Sequence, residues 1–432
     1  MKIGIIGSGI IGMMSGYYLS RMGHDITIFE GKDHLGGLAS TFEPKNNVFL
    51  ETYHHFFSKN DAYLLELLED LDLKKEIIWK NTKLGTLRNK ILYPFTSILD
   101  LYRFPHLDFI EKLRFLYSMF KLHRGNNWEK LDKLSAKEWI IRNSGLRVYE
   151  TLWQHLFESR FDGFVHTIPT AWFWARTKRR AKSRSIFGTS EKFGYFKQSI
   201  KILFDSIETA IKKNGGSIIT SSPVDRINIL NSKVKSVLIS GKVTSFDCIL
   251  CTIPIPQIKL IAPELIELLP EKIRQIEYAG ILNIILELNR PFSDYFWINV
   301  CDTKFPFPGI IEFTQLRPPK ELNDNHFVYI PNYLPKNHSL LKATKSAIVD
   351  TYMPFLSMIN RNFSRDDIIR SYAFKEDYAD PYYFLNYSLA LPTFTTPIQG
   401  LFLANTTQIY PWTRSINNGI FYAKQAADII SR

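Results

Sequence analysis

The chain has 432 residues, 45% apolar and 22% charged. That is the balance of a folded globular protein of two or three domains, and it excludes a disordered, collagenous or disulfide-stapled chain. Lys plus Arg number 54 and Asp plus Glu 42, a formal net charge of +12 that suits an anionic partner: nucleic acid, a membrane surface or a phosphate-bearing ligand.

Three cysteines are too few for a disulfide framework. Cys248 and Cys251 fall on a strand-like run, FDCILCTIP, where residues three apart face opposite sides. They read as unpaired buried thiols, which fits a reducing, cytoplasmic compartment. Two stretches carry no charge, residues 3–20 and 381–413. Gly4, Gly7, Gly9, Gly12 and Gly16 weaken the first as a membrane span, and Pro392, Pro397 and Pro411 cut the second. Both are expected to be buried and to meet inside the protein.

Residues 2–6 read as a strand. Ile10, Met13, Met14, Tyr17 and Tyr18 then mark a helix, and residues 24–29 form a second strand that ends at Glu30. Between strand and helix lies GSGIIG, a GxGxxG in its proper setting. Gly7 makes the tight turn, Gly9 lets the backbone approach a pyrophosphate, and Gly12 permits close helix–strand packing. The helix N-terminus presents N–H groups to phosphate. Glu30, 18 residues past Gly12, can hold both ribose hydroxyls.

Gly36-Gly37-Leu38 follows six residues past Glu30. With this second glycine pair the sequence resembles the FAD-binding fingerprint of the flavin amine oxidase superfamily, which includes protoporphyrinogen oxidase and the phytoene desaturases. The resemblance implies FAD, with Ser8 and Ile11 in the glycine loop and Gly36, Gly37 and Leu38 beside the diphosphate. It continues in ETYHHFF at 51–57, WARTKRR, PFPGIIEFT, YIPNYLP and QIYPWTRSINNGI, in the order of a bacterial subgroup of protoporphyrinogen-oxidase-like NAD(P)/FAD-dependent oxidoreductases. Departures are Gln198-Ser199, where the subgroup has two glycines, and Glu312-Phe313-Thr314-Gln315, which lacks its histidine. The fold implied is α/β. A Rossmann-like FAD-binding domain is built from 1–58, 191–275 and 391–432. A second, α+β substrate domain comprises helical residues 59–190 and a mixed or antiparallel sheet in 276–390.

The same resemblance brings Val224 to the adenine and the last strand and helix to the flavin. An acidic residue usual after that strand is replaced by Asn405, and the N-terminus of the final helix, at Ile416 and Asn417, is aimed at the ring. The position of a lysine that helps oxygen react falls on Asn283, which weakens oxygen-driven amine oxidation. His54 and His55 are the acid/base candidates; on a strand, only one would face the ring. Arg414, the first charge after the void, is a third catalytic candidate. Arg160 and Arg176 are candidates for holding an acidic substrate, and Tyr387 for walling its pocket. No metal site is expected.

The function expected is FAD-dependent removal of hydride from a lipophilic or polycyclic substrate, or one bearing phosphate. The alternative is a non-redox flavoenzyme resembling UDP-galactopyranose mutase. The basic amphipathic segment 107–123 and the cluster Lys178, Arg179, Arg180, Lys182 and Arg184 suit peripheral contact with anionic lipid at the inner membrane face. No recognition motif for nucleic acid accompanies them.

Overall fold

Four of the five strands in the smaller large sheet are so apolar that only burial on both faces suits them. The computed structural model describes residues 1–45, 47–125, 127–183 and 191–432. In chain order, the elements used below are β1 (Lys2–Ile6), α1 (Ile10–Arg21), β2 (Asp25–Phe29), β3 (Leu84–Arg88), β4 (Ile91–Pro94), α2 (Ile98–Arg103), α3 (Phe109–Arg124), α4 (Thr170–Ser183), β5 (Ser217–Ile219), β6 (Cys248–Cys251), β7 (Tyr278–Leu288), β8 (Trp297–Val300), β9 (Gly309–Glu312), β10 (His326–Pro335), β11 (Ile368–Pro381), β12 (Leu401–Leu403) and α5 (Ile416–Ile430).

The first sheet is parallel throughout, in the order β12-β6-β1-β2-β5. Ile5 pairs with Ile28 on one side and Leu250 on the other. All three are fully buried, each contributing roughly 2 kcal/mol of apolar burial. α1 and α5 pack on each other, so the two ends of the chain do meet. Cys248 and Cys251 are buried free thiols, and burial pushes both up to about 12.

The second sheet has seven strands, β11-β7-β10-β9-β8-β3-β4. β8 and β3 run parallel and the other pairs antiparallel, so the sheet is mixed. β7, one strand in from the edge between β11 and β10, is buried over all 11 residues. The helices of residues 98–183, α2, α3 and α4 among them, pack on one another, and one of them, Gln154–Phe161, packs on β10. No helix among the described residues is long and apolar enough to cross a membrane.

Two helix boundaries fall at left-handed residues. The helix Ala62–Asp70 ends ahead of Asp72, which takes a φ of 54°. The β-prone residues Ile77–Thr82 then pair with Glu191–Phe196. The helix Lys201–Lys213 starts after Ser199 at φ 77°.

Candidate active site

The carboxyl ends of β1, β2, β6 and β12 open on one cavity of about 430 Å³, the place where open α/β sheets bind ligands. Gly7 follows β1 at φ 102°, and a Cβ there would meet Thr252 Oγ1 at 2.7 Å. A Cβ on Gly12 would lie 1.9 Å from Gly7 O, so glycine alone lets α1 start there. Gly9 is different. It is the N-cap of α1 with no side-chain cap, its φ is −63°, and no atom lies within 4 Å of where a Cβ would stand. The first N–H groups of α1 thus face open space with the helix dipole behind them.

Glu30 ends β2 on the same wall. Ser8 donates its N–H and its hydroxyl to Glu30 Oε2 at 2.9 and 2.6 Å, and Lys32 N–H donates to Oε1 at 3.0 Å. Gly36 N–H donates to Ser8 O at 3.0 Å, which lays Gly36, Gly37 and Leu38 against the glycine loop. Ile11 lines this end and Ile416, at the start of α5, the other, so two helix N-termini open on the cavity. The cradle, the oriented carboxylate and the two dipoles fit a dinucleotide such as FAD.

Residues 51–57 are no regular strand beyond Glu51, and His54 and His55 both line the cavity, against the expectation that only one would. His55 Nδ1 lies 2.7 Å from Tyr53 O, which accepts its proton. His54 stacks on Phe56 and meets Trp297 edge-on at 5.3 Å; its buried Nδ1 has no partner among the described residues. Burial first, then neighbouring cations, lowers His54 to about 3; burial likewise lowers His55 to about 4. Both rings are neutral near pH 7.

Arginines gather here. α4 turns Trp172, Arg176, Arg179 and Arg180 onto the cavity wall, a helical face at i, i+4, i+7 and i+8. Arg179 pairs with Asp61 and Arg180 with Glu191 at 3.3 and 3.4 Å, and Arg160 pairs with Asp380. Arg414 donates to Ala379 O and to the Tyr333 hydroxyl. Arg176 lies over the Trp172 ring at 5.6 Å and has no carboxylate or hydrogen-bond partner among the described residues. Burial and the nearby Arg160 and Arg180 lower it to about 9, which leaves it cationic at neutral pH. Of the basic cluster, Arg179 and Arg180 line the cavity and are ion-paired there. Arg184 and the Lys182 side chain lie outside the described residues.

Several residues named from sequence are off the cavity wall. Ser8 is buried behind it, orienting Glu30. Val224 begins a neighbouring strand, Val224–Leu230, and only Ser222 N–H of that connection reaches Glu30 O, at 2.8 Å. Asn405 is spent on a local turn: its Oδ1 accepts from Thr407 N–H at 3.0 Å and its Nδ2 donates to Ile253 O at 2.9 Å. Asn417 Oδ1 caps the helix Ala62–Asp70 by accepting from Tyr63 N–H at 2.9 Å. Tyr387 is buried, donating to Thr407 O at 3.1 Å. Asn283 is buried behind the wall and donates to Thr52 O at 2.7 Å.

Sequence reasoning missed Tyr333, Trp172 and Trp297 on the wall. The i, i+4, i+7 spacing of Trp172, Arg176 and Arg179 was the signal for one of them. Burial pushes the Tyr333 phenol up, but Arg160 and Arg414 outweigh it and hold the group below the ordinary tyrosine value.

A model of the flavin containing amine oxidoreductase family matches residues 11–431. The 15-cis-phytoene desaturase of Synechococcus elongatus is 22% identical over 324 residues, covering 68% of this chain and 67% of the desaturase. The coproporphyrinogen III oxidase of Staphylococcus aureus is 24% identical over 283 residues, covering 59% and 60%. The matched region is about half the length of the plant desaturases, 48% in Oncidium and 49% in Glycine max. Among solved structures, a candidate protoporphyrinogen oxidase from Exiguobacterium sp. 255-15 superposes with a TM-score of 0.77 at 16% identity, over 99% of this chain and 98% of the other. Reduced UDP-galactopyranose mutase superposes with a TM-score of 0.75 at 13% identity, over 100% and 95%. At these identities the structural likeness is one of fold.

Proposed function

Because the chain belongs to the flavin containing amine oxidoreductase family and is an FAD-dependent oxidoreductase, we propose that it oxidises a C–H bond of a small molecule that is apolar in body and carries an anionic group. The observation that carries this reading is Arg176, a cation on the cavity wall with no carboxylate partner among the described residues, set among aromatic rings. A guanidinium in that setting favours a carboxylate or phosphate.

When bound, FAD supplies the hydride acceptor. Gly7, Gly9, Gly12 and the start of α1 would hold its diphosphate, with Gly36, Gly37 and Leu38 alongside, and Glu30 its ribose. Ile416 would bring the dipole of α5 to the ring. The cofactor part would comprise 1–58, 191–275 and 391–432, and the substrate part 59–190 and 276–390.

Arg176 would fix the substrate's anionic end, and Trp172, Trp297 and Tyr333 would exclude water from its apolar body. Arg160, tied to Asp380, would steady Tyr333. Arg414 would do the same through the Tyr333 hydroxyl. His54 and His55, neutral near pH 7, would act as hydrogen-bonding partners and not as charged acids.

Binding tests the reading. The visible spectrum of the FAD-loaded protein should shift saturably with an apolar carboxylate such as 1-naphthoate and not with its methyl ester. Arg176→Gln should abolish the shift while retaining the flavin. Equal responses to acid and ester would overturn the reading.

A further inference from the structure

α3 packs on its own protein through Phe115, Leu116, Met119 and Leu122 and shows a second apolar face to solvent. Ser118 and Leu122 are buried, and the Ser118 hydroxyl meets that of Ser144 at 2.6 Å. On the opposite side Phe109, Ile110, Leu113, Tyr117 and Phe120 are between 50 and 66% exposed. At 100° per residue these five fall within about one quadrant of the helix. α2 continues the surface with Ile98, Leu99 and Tyr102, each more than half exposed. Lys112 joins the two helices by donating to Tyr102 O at 2.7 Å.

Cations outnumber carboxylates around this stripe. Arg103, Arg114, Lys121 and Arg124 are exposed along its margin. The acidic residues of 98–124 are Asp100, Asp108 and Glu111, and all three are engaged in capping boxes at the starts of α2 and α3. Arg103, Lys112, Arg114, Lys121 and Arg124 outnumber them, so the net charge around the apolar strip is positive. A stripe of aromatic and aliphatic side chains rimmed by cations is the pattern of a helix lying in a headgroup layer.

We propose that α2 and α3 dock the protein on an anionic lipid bilayer, with the α3 stripe inserted among the headgroups and the rim arginines on lipid phosphates. This surface is joined to the cavity: His123 at the end of α3 lies 2.9 Å from Thr177 Oγ1 on α4, the helix that bears Arg176. The proposal stands independently of the substrate reading, because it concerns a different face.

Flotation of the full-length, FAD-loaded protein with vesicles tests it. Equimolar phosphatidylglycerol and phosphatidylcholine should carry the protein up, and pure phosphatidylcholine should bind at least tenfold more weakly. Arg114→Gln and Lys121→Gln should each lower partitioning about fivefold. Phe109→Ser with Leu113→Ser and Phe120→Ser should abolish it with unchanged flavin content and circular dichroism. Failure to float with the anionic vesicles, or flotation of the triple variant like the wild type, would overturn the proposal. So would a lipid-free dimer in sedimentation velocity that the triple variant dissociates, because the stripe would then cover a second copy of the chain.

Discussion

The Arg414 guanidinium donates to the Tyr333 hydroxyl at 3.1 Å, and the Arg160 guanidinium stands 3.9 Å from the centre of the same ring. Two cations on one phenol favour its anion, against the burial that opposes it. An ultraviolet difference titration should show one tyrosine ionising below the ordinary value of about 10. Tyr333→Phe should remove it and Arg414→Gln should move it upward. A phenol lowered in the folded state stabilises the protein above the unfolded value, and that contribution is lost as pH falls through the folded value.

Gly9 and Gly12 separate cofactor binding from folding. Gly12→Ala sets a methyl 1.9 Å from a backbone oxygen and should cost about 3 kcal/mol or more in chemical denaturation. Gly9→Ala sets its methyl in open space at an ordinary φ. The apoprotein of that variant should unfold like the wild type, yet bind FAD about tenfold or more weakly by fluorescence titration, because the methyl would stand where the diphosphate must approach.

His54 and His55 give the protein an acid-sensitive core. Their pKa values of about 3 and about 4 lie below the unfolded value of about 6.5. The unfolded chain therefore binds more protons between these limits, and stability falls as pH drops from about 6.5 toward 4. Thermal melting across that range should show the loss. His54→Asn should flatten the curve, since an amide does not titrate.

Removing the cation at Arg176 should act on binding and leave the chemistry intact. A lost charge-assisted hydrogen bond is worth about 1.5–3 kcal/mol. For an anionic substrate, Arg176→Gln should therefore raise KM about 10- to 100-fold in steady-state kinetics, with kcat and flavin content nearly unchanged. Arg176→Lys should recover part of the loss, since it restores the charge without the planar fork.

The nucleotide end of the site was legible because its chemistry is local. A turn, two backbone approaches and one carboxylate fall within residues 7–37, and their spacing alone sets them together. The substrate end was not, because distant segments build it: Tyr333 comes from β10, Arg160 and Arg176 from helices, and Arg414 from the lead-in to α5. The side chains of Asn405 and Asn417 do work that spacing does not reveal: an amide can serve a turn or a helix start, and both do so. By charge alone Lys178, Arg179 and Arg180 suit a surface cluster, apart from Arg176. The helical period turns Arg176, Arg179 and Arg180 onto one inward face.

The most direct measurement is anaerobic reduction of the protein-bound flavin, followed by loss of its visible absorbance in a stopped-flow instrument. The compounds are matched pairs of free acids and methyl esters from two apolar classes, porphyrinogens and polyenes. Reduction by at least one free acid should be saturable, with its ester at least tenfold less effective, and Arg176→Gln should erase that difference. A flavin reduced equally by acid and ester in the wild type, or left oxidised by every acid, would contradict an FAD-dependent oxidation that is guided by an anion on Arg176.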